Sequence, residues 1–258
     1  MEDLLPKLSV FLLVFVRVST FFVTMPLFSY RTIPARHRIG LAFLLAWIMY
    51  YSIDAEPFEI NGEYFLLILK EAMVGLMIGF VAYMIMSAVQ IAGGFIDFQM
   101  GFAIANVIDP QTGAQSPLMG QYLYTFALLL LLTVNGHHLI LDGIYYSYQF
   151  IPIDHWIPWG NANLIEFIIR SFSSMFVIAF QMAIPVVACL FLVDAALGIV
   201  ARTVPQLNVF VVGFPIKIGV SFIVLTIVLG VMMSVVEGIF STMFDTMRTV
   251  MKIVGGTS

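Results

Sequence analysis

Of 258 residues, 61% are hydrophobic and 10% charged, with a mean hydropathy of +1.03. Soluble domains run at roughly 45–50% apolar and about 25% charged, so the composition excludes an ordinary water-soluble globule. The formal net charge of −4 is spread along the chain without a basic block, which excludes a nucleic-acid-binding surface.

The N-terminal MEDLLPKL is acidic, and the apolar stretch behind it carries Arg17 and no small-residue cleavage pattern, so it is expected to belong to the mature fold rather than to a signal peptide. Six apolar runs follow in order: Leu8 to Phe28, Ile39 to Ile53, Tyr64 to Ile96, Leu118 to Leu141, Leu164 to Val193 and Val209 to Val236. Crossing a bilayer takes about 20 such residues, and the second run is barely long enough. None alternates as the strands of a membrane barrel do. The predicted fold class is therefore all-α, an integral membrane protein with six hydrophobic helical segments.

Between the first two runs lie Arg31, Arg36 and Arg38, and between the second and third lie Asp54, Glu56, Glu59 and Glu63. The positive-inside rule then places the first loop in the cytoplasm and the N-terminus outside. Pro26, Pro185 and Pro215 fall in or beside apolar runs, which predicts kinks and protein neighbours on most faces. Arg17, Lys70, Glu71, Arg170 and Lys217 are expected to face other subunits or water, since a lipid-facing charge costs about 2.5–3.5 kcal/mol at a helix centre.

In the third run, Gly75 and Gly79 stand at the spacing that lets two helix backbones approach closely, predicting a packing groove. The stretch Gly93 to Gln121 then reads as an interruption, half apolar and unable to continue as a helix past Pro110, built to be enclosed. At the end of the fourth run, NGHHLILDG puts His138 and Asp142 on one helical face beside His137, without the HEXXH or CXXC pattern that would supply the three or four ligands of fixed geometry a closed metal site needs. The single Cys189 offers neither a disulfide framework nor a cysteine metal site. Glycine-loop, nucleophile-elbow and dinucleotide-binding patterns do not occur, which argues against an enzyme. The sixteen methionines suit adaptable packing, or a surface that seals around changing cargo. In ARTVPQLNVFVVGFPIKIGVSF, amide side chains enter an apolar stretch, where unpaired amides are costly, so partners are implied.

QMGFAIANVIDPQTGAQSP, VNGHHLI and VPQLNVFVVGFPIKI, with the order and spacing of the six runs, resemble the FliR family of export-gate subunits shared by flagellar and virulence type III secretion systems. The resemblance covers essentially the whole chain. The doubled His137 and His138 depart from it, because many relatives carry one histidine there, and Lys217 matches less firmly than Gly213 and Pro215. It implies a non-enzymatic subunit without cofactor or metal, in the bacterial cytoplasmic (inner) membrane at the flagellar basal body. The partners implied are FliP-like and FliQ-like gate subunits, FlhB and FlhA, membrane lipid, and unfolded flagellar export substrates. The spans would be kinked hairpins packed in a multi-subunit helical assembly.

By the same resemblance, residues 1–160 form a FliP-like part and 161–258 a FliQ-like hairpin, joined near Gly160, with a channel plug in the loop at about 97–118. The expected plug residues are Asn106, Asp109, Pro110, Gln111, Gly113, Gln115 and Pro117, with Met100 and Phe102 as apolar seals. Glycine and proline fix turns there, and the amides bond neighbouring backbones without a fixed charge to trap cargo. Subunit assembly is expected of Pro205, Gln206, Asn208, Gly213 and Pro215, together with Gly75 and Gly79. Two other classes stay open on the residues alone. One is a small-solute transporter with a midplane site, and the other is a membrane enzyme using His137, His138 and Asp142.

Overall fold

The computed structural model describes residues 4–29, 33–53, 55, 57–102, 117–157, 160, 162–206 and 208–256. Among them every regular element is helical: α1 (Leu4–Thr24), α2 (Ala35–Tyr50), α3 (Gly62–Met100), α4 (Leu118–Thr133), α5 (Gly136–Phe150), α6 (Ala162–Thr203) and α7 (Val209–Gly255). Three of these helices, α3, α6 and α7, are long and apolar enough to cross a membrane, and α4 with α5 makes a fourth span if the broken pair counts as one. The apolar part of α1, Leu8–Thr24, is shorter, and α2 has 16 residues.

Three boundaries differ from the sequence reading, each for a physical reason. The fourth run is not one helix. It breaks at Val134 and Asn135, where Asn135 takes a left-handed conformation (φ 56°) before Gly136, a conformation that asparagine tolerates better than most residues. The third run does not stop at Ile96. It passes through Gly93 and Gly94 to Met100, because glycine weakens a helix without ending it where a neighbour packs against the exposed backbone. The last two helices outrun their apolar windows: α6 has 42 residues and α7 has 47, about 63 and 70 Å at the α-helical rise. Both continue through their internal prolines, Pro185 and Pro215.

The chain packs as two compact units, each discontinuous in sequence. The first comprises Met1–Met86, Asn135–Phe172 and Ser241–Ser258. Its buried residues include Leu13, Val14 and Phe21 of α1, Val74 and Ile78 of α3, Ile140 and Ile144 of α5, and Val250 of α7. Phe11 of α1 meets Phe43 and Trp47 of α2 edge-on, with ring centroids 5.3 and 5.6 Å apart. The groove expected at Gly75 and Gly79 is filled by this chain's own α1. A Cβ at Gly75 would overlap Thr20 and the Arg17 carbonyl, one at Gly79 would overlap Thr24, and Thr24 Oγ1 donates to the Leu76 carbonyl at 3.3 Å.

The second unit comprises Ser87–Val134 and Ser173–Phe240. Val89, Ala92 and Ile96 of α3, Leu123 and Ala127 of α4, Ala179, Met182 and Val186 of α6, and Met232 and Val236 of α7 are buried in it. Within this unit α6 and α7 run side by side as a hairpin, with Gly213 so close to Leu197 that a Cβ would meet its Cδ1 at 2.9 Å. Much of the outer face of this hairpin stays apolar and uncovered. Only 28% of the most apolar window of α6, and 17% of that of α7, is buried within the chain.

Candidate functional site

Two polar constellations stand out against the apolar background. The first lies in the first unit and is wholly buried. Arg17 and Glu71 are 0% exposed and Lys70 is 2%. Arg17 Nε and Glu71 Oε2 form an ion pair, and Arg17 Nη2 donates to Glu71 Oε1 at 2.9 Å. Lys70 Nζ reaches the same Oε1 at 2.9 Å. The remaining donors go to α5 and the chain after it. Arg17 donates to Ser147 Oγ at 3.1 Å and to the Ile151 carbonyl at 2.8 Å, and its guanidinium lies 3.9 Å over the Tyr148 ring. Lys70 Nζ donates to the carbonyls of Pro152, Ile153 and His155 at 3.0, 2.7 and 3.2 Å.

This corrects the expectation that these three charges face other subunits or water. They face each other, and the two cations donate to main-chain carbonyls that no helix pairs. Arg170 does face outward, paired on the exposed surface of α6 with Glu166 at 2.6 Å.

The second constellation lies in the second unit, at the neck of the segment between α3 and α4. The helix α3 ends in a Schellman motif. Phe102 N–H donates to the Asp97 carbonyl at 3.0 Å, Gly101 N–H donates to the Phe98 carbonyl at 3.2 Å, and Gly101 takes φ +92°. One turn back, the buried Asp97 accepts from the Met119 N–H at 2.9 Å through Oδ2, so a side chain of α3 caps the N-terminus of α4. The two backbones touch above this bond. A Cβ at Gly93 would overlap the backbone of Gly120, and one at Gly120 would meet the Gln90 carbonyl at 2.8 Å. Gly94 faces Pro117, which precedes the first turn of α4. Chain entering the segment after Phe102 and chain leaving it at Pro117 therefore share one tight base.

Of the expected plug residues, Met100 is fully buried on the last turn of α3, Phe102 meets Phe214 of α7 with ring centroids 6.4 Å apart, and Pro117 sits at the neck. Asn106, Asp109, Pro110, Gln111, Gly113 and Gln115 lie outside the described residues. Of the expected assembly residues, Pro205 and Gln206 are exposed at the turn of the α6–α7 hairpin. Asn208 caps α7, its Oδ1 accepting from the Phe210 and Val211 N–H groups at 3.2 and 3.3 Å. Gly213 packs on Leu197, and Pro215 is exposed within α7. His138 and Asp142 share α5, and the His137 and His138 rings lie 4.1 Å apart.

Asp97 and Asp194 each follow directly on the last residue of an apolar run, Ile96 and Val193, yet both are helical. Asp194 of α6 pairs through Oδ1 with Lys217 Nζ of α7 at 2.8 Å, and its Oδ2 accepts from Gln99 Nε2 at 2.8 Å. A signal existed for the first bond. Asp194 and Lys217 lie at nearly equal distances along the chain from the Pro205–Gln206 turn, so a hairpin brings them level.

Comparison with known proteins matches residues 8–243 to bacterial export proteins, family 1. The chain is 64% identical over 227 residues to the flagellar biosynthetic protein FliR of Bacillus subtilis (strain 168), covering 87% of this chain and 88% of that protein. It is 29% identical over 221 residues to the protein of the same name from Escherichia coli (strain K12), covering 85% of this chain and 84% of the other. It is also 31% identical over 228 residues to the Yop proteins translocation protein T of Yersinia pestis, covering 86% and 87%. The chain belongs to bacterial export proteins, family 1.

Proposed function

We infer that this family member is a membrane component of the type III export apparatus that serves flagellar biosynthesis. Its place in that apparatus is proposed as follows. The chain is a non-enzymatic subunit of the export gate in the inner membrane, assembled with FliP-like and FliQ-like subunits beside FlhB and FlhA. The segment between α3 and α4 plugs the channel through which unfolded flagellar subunits pass. Residues 1–160 form the FliP-like part and 161–258 the FliQ-like hairpin. All six apolar segments are enclosed, partly by lipid and partly by neighbouring subunits.

The observation that carries the plug reading is the neck. A side-chain cap from Asp97 to Met119 and the backbone contact of Gly93 with Gly120 bring the ends of the segment together, as a plug on a fixed base requires. The uncovered hairpin supports the assembly. Phe191 and Leu192 of α6 are 64% and 67% exposed, and Ile223 and Ile227 of α7 are 63% and 76% exposed. An apolar surface of this extent calls for lipid or protein against it. A helix of about 70 Å also exceeds the roughly 30 Å hydrocarbon core, so lipid alone cannot cover α7.

The test is affinity purification of the tagged chain from its native membrane in mild detergent, with mass spectrometry of what accompanies it. Recovery with FliP-like and FliQ-like membrane proteins is expected. Recovery as a lone chain or simple homodimer, under conditions that keep other complexes whole, would overturn the gate assignment and favour a small-solute transporter.

A further inference from the structure

Helix α2 is held on one side and bare on the other. Ala42 and Ala46, at small-xxx-small spacing, are buried together with Met49, and the cross-helix ring contacts of α2 run to Phe11 and Phe15 of α1. The opposite face carries Arg36, Gly40, Leu44, Trp47, Ile48 and Tyr51, which recur at helical spacing. Leu44 and Ile48 are 61% and 67% exposed, the exposed rings of Trp47 and Tyr51 lie 6.0 Å apart, and a Cβ at Gly40 would meet nothing.

Two arginines stand at the head of this face. Arg36 is exposed, and Arg38 donates through Nε and Nη2 to the Ile33 carbonyl at 3.2 and 3.1 Å, which fixes its guanidinium at the start of the helix. No ion pair among the described residues includes either of them, and the sequence has no acidic residue from Leu4 to Ile53. Neither α1 nor α2 therefore supplies a counter-charge.

The face fits a molecule that is anionic at one end and hydrocarbon along the rest. A partner helix fits less well, because close helix packing in membranes uses small residues, and the small face of α2 is already taken by α1 while its outer face is bulky. Arg38 and Trp47 stand about 14 Å apart along the helix axis, close to the roughly 15 Å depth of one leaflet. A lipid whose phosphate meets the arginines thus lays an acyl chain along Leu44 and Ile48 as far as Trp47. Arginines gather on the cytoplasmic side of membrane chains, and the cytoplasmic leaflet is the anionic one. We propose that α2 seats an anionic phospholipid of that leaflet, with its phosphate on Arg36 and Arg38 and its acyl chain against Leu44, Trp47 and Ile48. This rests on the reading of the chain as a membrane component, and it names which lipid that component binds and where.

The test reads Trp47 fluorescence in the complex purified with this chain and reconstituted in vesicles that carry tail-brominated phosphatidylglycerol or tail-brominated phosphatidylcholine. Subtracting the signal of a Trp47→Phe complex isolates the one ring. Expected is quenching at a lower mole fraction of phosphatidylglycerol than of phosphatidylcholine, a preference that falls about fivefold in Arg36→Gln, the scale of one arginine at an anionic surface. Arg36 is exposed and outside every described ion pair, so Arg36→Gln keeps the fold. Equal quenching by the two lipids, or an unchanged preference in Arg36→Gln, overturns the headgroup site while the membrane reading stands. Absence of quenching by either lipid, in a complex that floats with the vesicles, shows protein covering α2 and overturns the site as well. If inorganic phosphate at the headgroup concentration abolishes the preference, beyond the effect of chloride at equal ionic strength, the patch is a free-anion site and the lipid is overturned. A complex that does not float with the vesicles removes the membrane reading, and the lipid site falls with it.

Discussion

Replacing Glu71 by Gln leaves two cations buried without an anion. The carboxylate is 0% exposed and is shared by Arg17 and Lys70, with Lys70 Nζ at 2.9 Å and Arg17 Nη2 at 2.9 Å from one oxygen. The amide keeps one acceptor oxygen but presents an NH2 donor to a cation that is itself only a donor. Breaking a buried pair in this way costs about 3–5 kcal/mol. For a chain of this size each kcal/mol lowers the melting temperature by about 2–4 °C, so the variant melts about 6–20 °C below the parent. Lys70→Met is expected to fall less, because Arg17 and Glu71 still pair with each other, so no buried charge is left without a partner when the Lys70 contact with Glu71 and the donors to the Pro152, Ile153 and His155 carbonyls are lost. Differential scanning fluorimetry of the detergent-solubilised complex, followed by tryptophan emission, reads both. A Glu71→Gln melting point within about 2 °C of the parent, or one above that of Lys70→Met, would refute the argument that a single carboxylate neutralises the cluster.

Gly93→Leu is expected to prevent recovery of a folded complex, because even the first carbon of its side chain overlaps the Gly120 backbone, which cannot rotate away; equal yields of variant and parent in the membrane fraction would contradict this. Asn208→Ala removes the cap of α7 and should destabilise by about 1 kcal/mol, while Asn208→Asp, which keeps the acceptor, stays close to the parent in the same melting assay. Replacing Gly113 by Arg and Gln115 by Glu is expected to change ion leak or export while membrane insertion stays normal, and unchanged leak and export would count against the plug.

The helical class and the rough position of every apolar segment were legible in the hydropathy of the chain, because an apolar run of this length has few ways to satisfy its backbone other than as a helix. The break at Asn135–Gly136 was legible too, as an Asn-Gly pair, but was masked by the apolar residues on either side. The extension of α7 to Gly255 could be read from Val236, Phe240, Met243, Met247, Val250, Met251 and Val254, which recur at helical spacing and are all buried, although the polar residues between them lower the hydropathy.

What hydropathy could not give was the partner of each charge. Arg17 in the first run and the adjacent Lys70 and Glu71 in the third looked like liabilities of two helices, and only tertiary packing shows that one carboxylate holds two cations whose other donors satisfy the carbonyls after α5. The neck was hidden for the same reason. Gly93 reads as a helix breaker in sequence, and in the fold it is the opening that lets α4 come close.

The central claim is that this chain serves protein export in flagellar assembly, and deletion of its gene tests that most directly. Filament protein is measured in the culture medium of the deletion strain, with and without the chain supplied from a plasmid, while its level inside the cells is followed in parallel. The account predicts that filament protein disappears from the medium in the deletion strain and returns with the plasmid. Normal secretion by the deletion strain would contradict it.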